Sequence, residues 1–338
     1  MPGQTLDRTS AAPAAARLEA DEVVRRRFAR LTAIAAVFTY LLIVFGGVVR
    51  ITGSGLGCGD DWPLCNGRLI PLFDVPTLIE YVHRLLAATL IIPYGAVTVY
   101  ALRHRKAEGL GGAGGPIRPI VVAAGLLVVQ ALLGALTVKL ELPGGVTALH
   151  FVTAILILGA LLVATVRART APGEGGASLS RFAGPARAAA ILGLLVVAFG
   201  ALTANTGLPA GSGQPSAAAF ACQGFPLCNG QIIPKGGSWV HIHWTHRLLA
   251  FLLFFHVLGA TIVAWRRSAP AIVKRAAGVA FGLVLAQIIV AAALVLHHLP
   301  DSLQALHLAV GAALWGALVV WDAVCRGGLG GLDQSERR

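Results

Sequence analysis

Four histidines stand where the sequence repeats itself. His83 and His246 each open the run "HRLLA", and His150 and His307 sit in "LHF" and "LHL". Imidazole is the commonest metal ligand among side chains, so two matched pairs in one chain raise the chemistry of metal ligation twice over. Three residues before His83 stands Glu80, and three before His246 stands His243; one copy carries a carboxylate where the other carries a second imidazole. Each copy also has two cysteines upstream, Cys58 with Cys65 and Cys222 with Cys228, the second of each pair inside "PLCNG". Directly after the first histidine of each copy comes a cation, Arg84 or Arg247, able either to reach an anionic ligand by charge-assisted pairing or to snorkel to an interface.

The elements that position these residues are read from composition. Of 338 residues 56% are hydrophobic and 12% charged, and the mean hydropathy is +0.76, which places the chain among membrane proteins. About 20 apolar residues cross roughly 30 Å of hydrocarbon, and eight such windows occur: 31–49, 82–102, 118–138, 147–166, 186–204, 244–265, 275–296 and 303–323. The first follows Arg25, Arg26, Arg27 and Arg30 but is too long for a signal-peptide core and lacks a small-residue cleavage pattern, so it reads as a retained helix. The net charge of +12 does not point to nucleic acid. All but six of the 27 Lys and Arg fall on one side of an eight-span arrangement, the exceptions being Arg50, Arg68, Arg84, Lys139, Lys235 and Arg247. That asymmetry puts both termini in the cytoplasm of a multi-pass plasma-membrane protein. It also leaves basic residues facing anionic lipid.

The four paired cysteines then lie in outer loops and Cys325 on the inner side, as redox compartments would distribute disulfides and a free thiol; a metal site is the other reading, although neither spacing is the usual one for zinc.

Duplication is explicit in the numbering. Cys65, Asn66, Gly67, Pro71, His83 and Arg84 map onto Cys228, Asn229, Gly230, Pro234, His246 and Arg247 at an offset of 163, and Gln130, Pro143 and His150 onto Gln287, Pro300 and His307 at 157. Four spans per half is an even number, so both halves enter from one side. The expected architecture is all-α: two tandem four-helix bundles related by a pseudo-two-fold axis along the membrane normal. The boundaries are an N-terminal tail over 1–30, a first bundle over 31–166, a linker over 167–185, a second bundle over 186–324 and a tail over 325–338. A literal G-x-G-x-x-G at Gly109, Gly111 and Gly114 has no strand before it and is a loop, without nucleotide meaning.

In this frame His83, His150, His246 and His307 each lie near the outer start of an even-numbered span, at one depth. Ionisable residues at membrane depth point to function. Two per half, on the second and fourth helices, suit a flat cofactor gripped inside a bundle, and imidazole on both faces of an iron in an apolar pocket means haem. His104, His256, His297 and His298 have no such pairing and need only hydrogen-bond partners. Trp62 and Trp244 read as interface anchors.

These motifs, "GGVVRITGSGLGCGDDWPLCNG", the Glu80 to His83 spacing, "LHF", the second "PLCNG", "HWTHR" and "LHL", resemble those of the haem A synthases over nearly the whole chain. The resemblance implies an oxidoreductase that converts a methyl group of haem O to the formyl group of haem A. It further implies substrate haem in the N-terminal half, a haem b on His246 and His307 in the C-terminal half, and first-loop cysteines that take part in function. As partners it implies the farnesyltransferase that supplies haem O and the cytochrome oxidase assembly pathway, within the lipid bilayer and without nucleic acid; a homo-oligomer stays open. A carboxylate at Glu80 would act as general base or anchor a cationic intermediate, its alternative being a helix cap, and the copy with His243 would carry electrons only. Two rivals are a di-haem b membrane electron carrier, which would place histidines at both membrane depths, and a non-catalytic haem-handling protein, which gives no reason for the Glu80 and His243 difference. The stretch "LPAGSGQPSAAAFA" over 208–221 is longer than its counterpart and has no reading.

Overall fold

The computed structural model describes residues 8–111, 114–169, 179, 181–207 and 215–327. Among these the chain is all-helical, with two isolated β-bridges and no strand. Eight helices are long and apolar enough to cross a membrane: α1 (Arg8–Ile51), α2 (Val75–Arg103), α3 (Ile117–Lys139), α4 (Gly144–Arg169), α5 (Ala183–Asn205), α6 (Ser238–Arg266), α7 (Ala271–Leu296) and α8 (Asp301–Gly327). Each apolar window falls inside one of them.

The described part of 1–30, from Arg8, is helical and runs into the first span without a break, so α1 extends further than the apolar window alone. Charge marks where a span leaves the hydrocarbon, not where a helix ends. From Ala16 the run is rich in Ala, Leu, Glu and Arg, which favour helix, and Arg26 Nε donates to Glu22 Oε1 at 2.9 Å one turn away.

Within each half the same kinds of neighbours meet. Helix α1 packs on α2 and α4, and α3 on α4; α5 packs on α6 and α8, and α7 on α8. The α3–α4 and α7–α8 hairpins turn on two consecutive left-handed residues each, Glu141 and Leu142 (φ 56° and 58°) and His298 and Leu299 (φ 58° and 63°). Leu142 N donates to Thr137 O at 2.7 Å and Leu299 N to Leu294 O at 2.8 Å, closing the helix ends as a Schellman motif does, and Pro143 or Pro300 follows.

The apolar core does not divide cleanly at the linker. One cluster joins α1–α4 with Ala312, Trp315 and Val319 of α8; the other joins α5–α8 with Val166 of α4 and with Leu179 and Phe182 before α5. Trp315 is the wedge between them. A Cβ on Gly159 would lie 2.4 Å from its Cη2 and one on Gly193 3.1 Å from its Cδ1, so two glycines make its seat. Its indole N–H donates to Ala190 O at 3.1 Å. Outward, α1 exposes Ile34, Val37, Phe38 and Leu41, apolar surface that lipid covers without cost.

Candidate functional site

The repeated "PLCNG" builds a turn. Asn66 and Gly67 (φ 50° and 73°) and Asn229 and Gly230 (φ 54° and 73°) are all left-handed, which Asn-Gly tolerates better than any other common pair. Each turn closes a bridge, Cys65 with Arg68 and Cys228 with Gln231. In the structure Cys58 is bonded to Cys65 and Cys222 to Cys228, while Cys325 is free and buried.

Below the first loop, α2 begins at Asp74, whose carboxylate accepts from Thr77 N at 2.9 Å. Asp74 is therefore the cap, and Glu80 is left for other work. It is 3% exposed. Its Oε2 accepts from Cys58 N at 2.8 Å, and its Oε1 from Arg84 Nε at 3.0 Å and Nη2 at 2.5 Å. Arg84 Nη1 donates to the loop carbonyls of Asp61 and Leu64 at 2.7 and 2.9 Å.

The second copy repeats this with one exchange. His243 Nδ1–H donates to Ala218 O at 3.0 Å, which leaves Nε2 to accept from Arg247 Nε at 3.1 Å. Arg247 also donates to the carbonyls of Gly224, Leu227 and Cys222. In both copies the edited position serves as acceptor for an arginine that clamps the disulfide loop, as an anion in one half and as a neutral ring in the other. The expected reach of Arg84 and Arg247 to an anionic ligand competes with these bonds.

The four repeated histidines line one cavity of about 650 Å³, together with Glu80, Arg84, His243, Arg247, Gln130, Gln287 and Arg50. His246 and His307 face each other with ring centres 6.4 Å apart and planes at 77°. Two metal–nitrogen bonds of about 2 Å each, plus the distance from each nitrogen to its ring centre, come to about that separation. His246 Nδ1–H donates to Val196 O at 3.0 Å, the bond that fixes the tautomer of a ligating imidazole and leaves Nε2 its lone pair. His83 has no such anchor: its Nδ1 is buried without a partner, as are His150 Nδ1 and the Oε1 atoms of Gln130 and Gln287. Buried polar atoms are rarely left unmatched, and a histidine pair in each half with orphaned groups fits a porphyrin iron. Among the described residues no cluster of three or more His, Cys, Asp or Glu forms a site for a bare metal ion.

Several residues of the site carry no role in the sequence reading. Gln130 Nε2 lies 3.2 Å from His150 Nε2, and Gln287 Nε2 3.1 Å from His307 Nδ1; their matched spacing was visible, their purpose was not. Gly46, which opens the first quoted motif, and Gly200 had no role assigned from the sequence. A Cβ at either would stand 3.1 Å from His83 Cε1 or 2.9 Å from His246 Cε1, so both are needed to admit an imidazole between helices. The signal lay in a third offset, 154, which maps Gly46, Thr52 and Gly53 onto Gly200, Thr206 and Gly207.

The remaining histidines are occupied elsewhere: His104 Nδ1 pairs with Tyr100 O, His241 Nδ1 with Gly237 O and His256 Nε2 with Pro185 O, while His297 ends α7 and His298 shapes the turn. Trp62 lines the cavity and Trp244 Nε1 donates to Ile232 O at 2.8 Å. Of the long second loop, 208–214 lie outside the described residues. The rest has a task, since Ser216 caps the single helical turn Ala217–Phe220 whose Ala218 carbonyl holds His243.

Residues 29–319 match the family model described as COX15-CtaA, cytochrome oxidase assembly protein. The chain is similar to proteins named "Heme A synthase" from Symbiobacterium thermophilum (32% identity over 293 residues, 82% of this chain and 89% of that protein) and Bacillus licheniformis (30% over 240 residues, 70% and 74%). It is also similar to one of the same name from Alkalihalophilus pseudofirmus (31% over 240 residues, 70% and 75%).

Proposed function

The chain belongs to the COX15-CtaA family of cytochrome oxidase assembly proteins, and from that premise we propose that it is a haem A synthase, an oxidoreductase that takes a methyl group of haem O to the formyl group of haem A. The observation that carries the assignment of sites is the difference in how the two histidine pairs are held. His246 is locked by Val196 O and faces His307, which suits a resident haem b; His83, with Nδ1 unpartnered, suits a haem that enters and leaves.

In this reading His246 and His307 would hold haem b, which would supply one-electron transfer. His83 and His150 hold the substrate haem. Glu80 keeps a fixed negative charge at the outer rim of the substrate half, oriented by the Cys58 amide and the Arg84 guanidinium, where it can take a proton from the reacting edge or offset positive charge that develops there. His243, bonded at both nitrogens, offers neither. Arg84 and Arg247 act through the loops they clamp. The two halves are tandem bundles, with both termini on the cytoplasmic side as the distribution of Lys and Arg supports. Haem O arrives from a farnesyltransferase and haem A leaves toward oxidase assembly.

The test is the porphyrin content of the purified protein by mass spectrometry. Haem b together with haem O and formyl product is expected; haem b alone, with none formed on addition of haem O, would favour a di-haem electron carrier.

A further inference from the structure

Three cations line the cavity, and two of them, Arg84 and Arg247, are taken up by the disulfide loops. The third is Arg50, in the last turn of α1. Its Nη1 donates to Ala204 O at 3.2 Å and its Nη2 to Gln304 Oε1 at 3.0 Å. Both acceptors are neutral, and the exposed Asp301 acts on it only through space. A half-buried charge with neutral partners is costly unless an anion completes it.

Both acceptors also belong to the other half of the chain. Ala204 is one helical turn beyond Gly200, the residue against His246, and Gln304 is one turn before His307. Arg50 thus crosses from the first half to stand about one turn, roughly 5 Å, to the outer side of both histidines of the second. The repeat gives that half no cation of its own there, because the position matching Arg50 at the 154 offset is Ala204. A porphyrin carries its charge on carboxylate side chains at one edge, and these cannot turn toward the apolar depth of the cavity without losing their solvation.

We propose that Arg50 binds a carboxylate of the haem held by His246 and His307, so that the N-terminal half supplies the anion-binding residue of the C-terminal haem site. This rests on the assignment of a bis-histidine haem to that site. Removing the cation leaves a buried carboxylate uncompensated, which favours the oxidised iron.

The experiment is a redox titration of the purified holoprotein, followed on the low-spin haem absorbance, in wild type, Arg50→Gln and Arg50→Lys. Arg50→Gln should lower the one-electron reduction equilibrium about tenfold, equivalent to about 59 mV, and Arg50→Lys should keep most of the wild-type value. Should Arg50→Gln not accumulate, Gln304→Glu, which gives Arg50 a carboxylate of its own, should lower it likewise. An unchanged potential in the neutral variant overturns the proposal, as does an equal shift in Gln and Lys. An effect confined to the affinity for added haem O overturns it too, because the carboxylate would then be the substrate's. Absence of any low-spin bis-histidine haem in wild type would instead remove the assignment beneath it.

Discussion

At the scale of single residues, the exchange of Glu80 for His243 is the most informative difference between the halves, because the arginine clamp beside it is kept. Each accepts a hydrogen bond from the arginine one turn on, and that arginine holds two or three carbonyls of the disulfide loop. What differs is charge, proton capacity and the second partner, the Cys58 amide donating to Glu80 but the Ala218 carbonyl accepting from His243. Glu80→Gln preserves size and an acceptor but not the anion. We expect normal haem content and about a hundredfold less haem A formed, measured by extraction of porphyrins from membranes; wild-type yield would reduce Glu80 to a structural acceptor. The cysteines divide along the same line. The Cys58–Cys65 bridge fixes the loop whose backbone amide at position 58 donates to Glu80, so replacing both by Ser should abolish haem A formation while the protein still folds and binds haem b. Replacing Cys222 and Cys228 should mainly lower stability, by about 2 to 3 kcal/mol for so short a closed loop. Equal loss of folded protein in both double variants would make both bridges mere staples.

At the scale of elements, helices are admitted to a haem-sized space only where their backbones allow it. Gly200 on α5 and Gly46 on α1 face imidazoles. Gly200→Ala places a methyl within 2.9 Å of His246 Cε1 and should remove most of the low-spin absorbance per mole of protein. Gly259→Ala on α6, where a Cβ meets nothing within 4 Å, should leave it intact, and equal spectra in the two would show that α5 can shift aside. All eight helices were legible from apolar length alone, and the four histidines from their repeat. The glycines were not, since a missing side chain leaves no chemical mark and the N-terminal helices repeat at an offset of their own. Nor was the clamp: that Arg84 and Arg247 turn to loop carbonyls depends on where an Asn-Gly turn folds back, a tertiary fact. The start of α1 escaped because span and helix end under different rules, one set by hydrocarbon and the other by backbone propensity.

At the scale of the whole molecule, the halves are less independent than a tandem repeat implies, because Trp315 of α8 seats against Gly159 of α4 and Gly193 of α5. Trp315→Ala should cost about 3 to 5 kcal/mol and lower the melting of both haem environments together in a thermal scan read by absorbance. Two separate transitions, with the N-terminal one unmoved, would show that each bundle stands on its own core. The unbroken α1 carries a different consequence. Its 44 residues make a rod about 66 Å long, against about 30 Å of hydrocarbon, and its base is braced where Glu108 N donates to Asp21 Oδ2 at 3.0 Å. The helix beyond that brace works as a spacer: a fluorophore at Ala16 would ride well clear of the lipid, and energy transfer from it to acceptor-labelled headgroups should be far weaker than from a fluorophore at Ala33.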